Sequence, residues 1–127
     1  MYTEILTQIR NAQAAGKESV KLPFSNMNLA ILELLSKRGF VGAVEKKGRM
    51  PKRVIDVALN YDENGNGSIQ GVRFVSKPSR RLYVGYKDMK SVRQGYGMAV
   101  VSTSKGIMNE QQARKEKVGG QMLFEIW

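Results

Sequence analysis

Residues 54–76 read VIDVALNYDENGNGSIQGVRFVS, and the way this stretch divides decides the fold. Val54–Leu59 sets aliphatic residues around Asp56 in the period-two pattern of a strand with one buried face. Asp62–Ser68, DENGNGS, holds no apolar residue, and its asparagines and glycines suit turns. Ile69–Ser76 then resumes a β-rich run. Strand, exposed connection and strand predict two subdomains, 1–61 and 69–127, joined by 62–68.

Toward the N-terminus, Met1, Ile5, Ile9 and Ala12, with Leu6 beside them, mark one face of a helix that Gly16 stops. Val20 and Leu22 predict a short strand before Pro23. Ser25 is an N-cap for a second helix carrying Leu29, Ile31, Leu32, Leu34 and Leu35. Gly39 before Phe40 fits a left-handed C-cap. A strand over Phe40–Glu45 follows, joined to Val54–Leu59 by Lys46–Arg53.

Toward the C-terminus the pattern is mostly β. Strands are expected at Ile69–Ser76, Arg81–Tyr86 and Met98–Thr103. Asn109 caps a short helix over Glu110–Lys117, with Gln112 completing a capping box. Gly119 and Gly120 end that helix, and Met122, Phe124 and Ile126 alternate in a last strand. The class is α+β: an N-terminal α-β-α-β-β subdomain and a mostly β C-terminal one with a short helix.

The chain has 127 residues with 42% hydrophobic content, enough to bury a core. Lys and Arg number 21 against 11 Asp and Glu, a net charge of +10. An excess of that size on a short folded chain favours a polyanionic partner, nucleic acid before an anionic membrane surface. No run approaches the roughly 18 apolar residues of a membrane span, and Glu4, Gln8 and Arg10 break any signal-peptide core. Cysteine and histidine are both absent, which removes disulfides, the usual zinc ligands and the commonest general base. A cytosol or organelle matrix is the expected home, with no metal, nucleotide or redox cofactor held by the protein. Carboxylates lie scattered: Asp62 and Glu63 in the connection, Asp56 opposite an apolar face, Glu110 and Glu116 at the ends of the short helix. Solvated charge is the expected state of these acids. No nucleophile–base pair or cofactor motif supports an enzyme.

Three segments carry recognition chemistry. Ser102-Thr103-Ser104-Lys105-Gly106 sets three hydroxyls, a lysine and a glycine where an apolar strand meets a turn. Hydroxyls can bond phosphates, riboses or base edges, and glycine lets a backbone come close; a plain Ser/Thr turn would look the same. It is not a phosphate-binding P-loop, which needs GxxxxGK[ST]. KKGRMPKR places Lys46, Lys47, Arg49, Lys52 and Arg53 together without an acid. From Arg73 to Arg93 the cations are Arg73, Lys77, Arg80, Arg81, Lys87, Lys90 and Arg93, against Asp88 alone. Tyr83, Tyr86 and Tyr96 are interleaved and can stack on unpaired bases or ribose edges, or equally serve as half-buried strand residues. Two acid-poor clusters point to phosphate contact rather than an ordinary solvated surface.

The segment VVSTSKGIMN (100–109), continued by EQQARKEKVGG (110–120), resembles the signature of the bacterial small-subunit ribosomal protein eight family. LTQIRNAQAAGKESV (6–20) and SKPSRRLYV (76–84) resemble the same family in the same order, so the likeness runs over nearly the whole chain. It implies an α/β subdomain packed on a β-rich one, and a non-enzymatic primary RNA-binding protein. The implied target is a helical junction in the central domain of small-subunit rRNA, with neighbouring small-subunit proteins as further partners. No membrane or small-molecule substrate is implied. By that resemblance Ser102, Thr103 and Ser104 make the specific contacts and Gly106 shapes the turn. Cations of the first subdomain, here Arg10 and the Lys46–Arg53 hairpin, touch neighbouring RNA. Some members also repress translation of their own messenger, and a nonspecific basic module is the competing reading. Departures are Gln8 where arginine is usual, Asn26 and Asn28 where lysine is frequent, and Gln121 where glutamate usually follows VGG. These weaken a phosphate role for the second helix and a hydrogen bond supported by that acid.

Overall fold

A computed structural model describes residues 2–49, 53–76, 79–89, 92 and 97–127. The chain is α+β, with three helices and two antiparallel sheets among the described residues, and it divides into compact units Met1–Ile69 and Gln70–Trp127.

Unit 1 runs α1 (Tyr2–Ala14), β1 (Ser19–Pro23), α2 (Asn26–Lys37), β2 (Val41–Lys47) and β3 (Val54–Leu59), with sheet order β1-β3-β2. Ile5, Leu6, Ile9 and Ala12 are buried on the face the sequence predicts, Tyr2 joins them, and Met1 lies outside the described residues. Gly16 takes φ +72 just past the helix, and the Lys17 amide returns to the Ala12 carbonyl at 3.0 Å. At α2 the Ser25 Oγ accepts the Asn28 amide at 3.0 Å, and Gly39 at φ +81 reverses the chain as expected. α1 packs on β1 and α2 on β2. Their apolar faces meet Leu22, Ile55 and Val57 in a core where Ile5, Leu6, Ile9, Ile31, Leu32 and Leu35 have no exposed surface. Each such side chain stabilises the fold by roughly 1.5–3 kcal/mol relative to exposure.

Two boundaries move. β2 extends through Lys47, so Lys46 and Lys47 are strand residues opposite Ile55 and Val54 rather than part of the connection. Asp62–Ser68 is a loop closed by its own hydrogen bonds. Asp62 Oδ1 accepts the amides of Asn64 (2.9 Å) and Asn66 (2.8 Å), Gly65 takes φ +82, and Tyr61 bridges Gly67. Unit 1 is sealed by Gln13, whose amide both donates to and accepts from the Ile69 backbone, at 2.8 and 3.2 Å.

Unit 2 contains β4 (Val72–Phe74), β5 (Tyr83–Val84), a 3₁₀ turn (Tyr86–Asp88), β6 (Met98–Thr103), β7 (Gly106–Asn109), α3 (Glu110–Glu116) and β8 (Gly120–Ile126). Sheet order is β4-β8-β6-β7, and β5 pairs with β8 beyond the end of β4. Under α3 lies a core of Met89, Val92, Ala99, Val101, Met108, Ala113 and Met122.

Several expectations are corrected here. Ile69–Ser76 forms a strand only at Val72–Phe74, because Ile69 is held by Gln13 and the Val75 and Ser76 amides both turn to the Leu123 carbonyl (3.1 and 3.3 Å). Arg81–Tyr86 is reduced to Tyr83–Val84, since Gly85 leads into the 3₁₀ turn. β7 was not foreseen. α3 stops on Lys117, a non-glycine residue at φ +57, before the glycine pair is reached.

Candidate nucleic-acid interface

The STSKG segment is the tip of the β6–β7 hairpin. Thr103 faces Gly106 as the last ladder pair, which leaves Ser104 and Lys105 exposed as the two turn residues. Neither has positive φ; the reversal falls on Gly106 at φ +115. Hairpin twist requires a left-handed residue somewhere in the turn, and glycine supplies it without a Cβ penalty. Thr103 Oγ1 donates to the Gly106 carbonyl (2.8 Å) and accepts the Lys105 amide (3.1 Å). Its hydroxyl hydrogen is therefore spent inside the turn. Ser102 and Ser104 show no side-chain hydrogen bond among the described residues.

Alternation puts neighbouring hydroxyls on opposite faces of the sheet. Ser102 pairs with Ile107 on one side and Gln121 on the other, and Gln121 in turn pairs with Tyr83. Directly opposed residues share a face, so Tyr83, Gln121, Ser102 and Ile107 form one row across four strands. Adjacent strands lie about 4.8 Å apart, which sets the Tyr83 and Ser102 backbones about 10 Å from each other. Tyr83 is 67% exposed and the other three are half-buried. The row offers an aromatic face, an amide and a hydroxyl to one partner. Sequence reading singled out Tyr83 and Ser102 but missed Ile107, and Gln121 entered only as a departure. Neither carries a local signal: β7 is too short to show alternation, and the bulge at Leu123 breaks the period-two pattern of β8.

The end of the hairpin opposite the tip is held by Glu110. This residue has no exposed surface, and its Oε2 accepts the Ala99 amide at 2.8 Å. Val100–Asn109 is the pair at the open end of the β6–β7 ladder, away from the tip. One step further, where the chain turns into α3, the Glu110 carboxylate takes the place of a strand carbonyl. The expectation of a solvated Glu110 is overturned: the Ala99 amide is buried and needs an acceptor. Asn109 caps α3 as expected, accepting the Gln112 amide at 2.7 Å.

Leu82 is tied back by Ser76, which is 2% exposed. Its hydroxyl donates to the Met122 carbonyl and accepts the Leu82 amide at 3.0 Å, while the Met122 amide donates to the Leu82 carbonyl. Around Leu82, Arg80, Arg81 and Tyr83 stay exposed. Arg73, Phe74, Val75, Arg80 and Leu82 line a groove of about 290 Å³. Arg73 lies 3.7 Å from Glu125, whereas no ion pair to Arg80, Arg81 or Lys105 is seen among the described residues.

In unit 1 the cations separate. Arg10 is exposed on α1, and Lys46 and Arg49 are exposed. Lys47 Nζ binds Asp56 at 2.8 Å with Glu45 at 4.0 Å, and the hydrogen bond to Asp56 raises its pKa above the ordinary lysine value. That partner already meets its charge. Arg53 stacks over Phe24, 5.3 Å from the ring centre. Lys52, Lys77, Lys90, Arg93 and Tyr96 lie outside the described residues. Asn28 is buried at 6% and donates to the Pro23 carbonyl, so it faces inward and reaches no partner. No cluster of candidate metal ligands occurs, and no helix is long and apolar enough to cross a membrane, among the described residues.

Comparison with known proteins gives one consistent result. A family model described as ribosomal protein S8 matches residues 2–127. Small ribosomal subunit protein uS8 of Kosmotoga olearia is 44% identical over 127 residues, spanning 98% of this chain and 95% of that protein. The uS8 of Nautilia profundicola is 43% identical over 122 residues, with 96% and 93% covered. That of Bdellovibrio bacteriovorus is 39% identical over 125 residues, with 98% and 97% covered.

Proposed function

This chain belongs to the ribosomal protein S8 family, and from that premise we propose that its β6–β7 hairpin reads a helical junction in the central domain of 16S-type rRNA. As a member of the family it is a structural, non-enzymatic constituent of the small ribosomal subunit that binds rRNA. Which part of the RNA, and through which residues, is the proposal.

The observation that carries it is the division of labour among the three hydroxyls. Thr103 is consumed in shaping the tip, while Ser102 and Ser104 project from it with their capacity unused by the described residues. Ser104 and the Lys105 ammonium extend from the turn, and Ser102 joins Gln121 and Tyr83 on the sheet face. Hydroxyls and an amide read polar edges, an exposed tyrosine stacks on an unpaired base, and Arg80, Arg81 and Lys105 meet phosphates. Arg10, Lys46, Arg49 and Arg53 supply contacts to neighbouring RNA, and early binding of this kind helps the subunit assemble.

Hydroxyl-radical footprinting of the purified protein on whole small-subunit rRNA tests the reading. Protection confined to one junction of the central domain is the expected result. Protection spread over all helices and lost as salt rises would instead mark a nonspecific basic module. Tighter binding to its own messenger than to rRNA would make translational repression the primary role.

A further inference from the structure

Unit 1 carries a groove that the hairpin reading does not use. It is lined by Gln8 of α1, Lys21, Leu22 and Pro23 of β1, Phe24, Arg53 and Val54, and its volume is about 580 Å³, within the range of small-ligand sites. Register explains its floor. Pro23 pairs with Val54 at the end of the β1–β3 ladder, so Phe24 and Arg53 occupy the next opposed position. There the strands part, and guanidinium packs over ring at 5.3 Å in place of a backbone pair. Such packing holds a flexible arginine flat and orients its charge.

We propose that this groove seats one unstacked nucleotide of the bound RNA. The base rests on the Phe24–Arg53 platform between Pro23 and Val54, its edge meets the Gln8 amide, and its phosphate meets Lys21. Each group suits that task. Bases extruded from RNA stack on aromatic rings and guanidinium planes. A primary amide offers a donor and an acceptor side by side, as a base edge does. Two cations and no carboxylate line the groove, which favours an anionic occupant on a chain of net charge +10. An acidic peptide would match the charge but would leave a flat aromatic platform and an amide without a planar partner. The proposal rests on the RNA-binding role of the family and adds a second contact remote in sequence from the hairpin.

The test titrates the full chain with adenosine and uridine 5′-monophosphate, ribose 5-phosphate, inorganic phosphate and an acidic hexapeptide, following amide signals by NMR. Nucleoside monophosphates are expected to move the amide signals of Lys21, Leu22, Phe24, Arg53 and Val54 and of the Gln8 side chain. Ribose 5-phosphate should bind about tenfold more weakly, the worth of one stacked base. Phe24→Leu keeps the apolar filling without the aromatic face and should bring the nucleotides down to the level of ribose 5-phosphate. Gln8→Leu, on the exposed side of α1, should weaken nucleotides and leave inorganic phosphate unchanged. Equal binding of ribose 5-phosphate and nucleotide, or preference for the peptide, overturns the proposal. Junction RNA assayed in parallel separates the two readings. If wild type binds that RNA and Phe24→Leu changes neither RNA nor nucleotide affinity, the groove alone is refuted. If wild type fails on the RNA, the rRNA assignment of the hairpin fails instead.

Discussion

Thr103 and Gly106 face each other at the tip of the β6–β7 ladder, and the Thr103 hydroxyl donates to the Gly106 carbonyl at 2.8 Å while accepting the Lys105 amide at 3.1 Å. The middle hydroxyl of the three therefore builds the turn that presents the other two. Thr103→Val should lower stability by roughly 0.5–1.5 kcal/mol, the worth of such bonds. Ser104→Ala should leave the melting temperature in place and cost roughly 1–3 kcal/mol of affinity for the junction RNA, through partners left unsatisfied. Melting curves and filter binding on both variants check the split. If the Thr103 variant melts like wild type while Ser104→Ala unfolds early, the roles are reversed.

Gly106→Ala isolates backbone strain. A Cβ at this position meets nothing within 4 Å, but φ is +115. Strain of this kind costs about 1–3 kcal/mol, so chemical denaturation should show that loss with no change in core packing. An unshifted midpoint would mean the turn relaxes into another type.

Glu110→Ala removes the acceptor of the buried Ala99 amide and opens space in a fully buried site. A loss of roughly 2–4 kcal/mol is expected, from the unsatisfied donor together with the cavity. Glu110→Gln keeps an acceptor oxygen and should lose less. Hydrogen exchange at Ala99 reports the bond directly, and slow exchange in the Ala variant would show that it is dispensable.

Asp62 ties stability to acid. The Asn66 amide first, then the Asn64 amide, hold its carboxyl below the ordinary 3.8. A carboxyl lowered in the folded state contributes stability above its unfolded pKa and loses it as pH falls through the folded value. Wild type should be more stable than Asp62→Asn at pH 7, and the two should converge below about pH 3.8. A constant difference across that window would assign the effect to the loop alone.

Arg80→Ala and Arg81→Ala should each weaken all RNAs and make the dependence of log K on log salt shallower by up to about one unit. Ser104→Ala releases no counterion and should leave that slope unchanged. Unaltered slopes in both arginine variants would place the phosphates elsewhere.

Where a signal is local, the sequence was readable. The apolar stripe of α1, the Ser25 and Asn109 caps, and the reversals at Gly16 and Gly39 depend on residues within a few positions of each other. Where a residue's fate depends on a distant partner, it was not. Glu110 looks like a solvated first-turn acid until β6 brings it the Ala99 amide. Asn28 looks like a surface residue until the Pro23 carbonyl is above it. β7 was hidden because Ile107 and Met108 are too few to show alternation, and only pairing with β6 makes them a strand. The STSKG segment was visible as a hydroxyl cluster, but assigning Thr103 inward and Ser104 outward required the turn geometry.

Leu123 interrupts the pairing of β8 with β6: Val100 faces Phe124, yet Val101 faces Met122. This extra residue of β8, which turns its carbonyl to the Val75 and Ser76 amides, changes parity along the strand, so an odd position, Gln121, and an even one, Phe124, end on the same side of the sheet. A regular register, with Leu123 opposite Val101 and no bulge, would be a frameshift in three dimensions. Each side chain from Met122 back to Gly120 would exchange its face, carrying Gln121 to the core side and Met122 into water. No residue would change, but the row that includes Tyr83 and Ser102 would lose its middle member. The bulge thus decides which side chains share the Tyr83–Ser102 face as much as the residues of that row do.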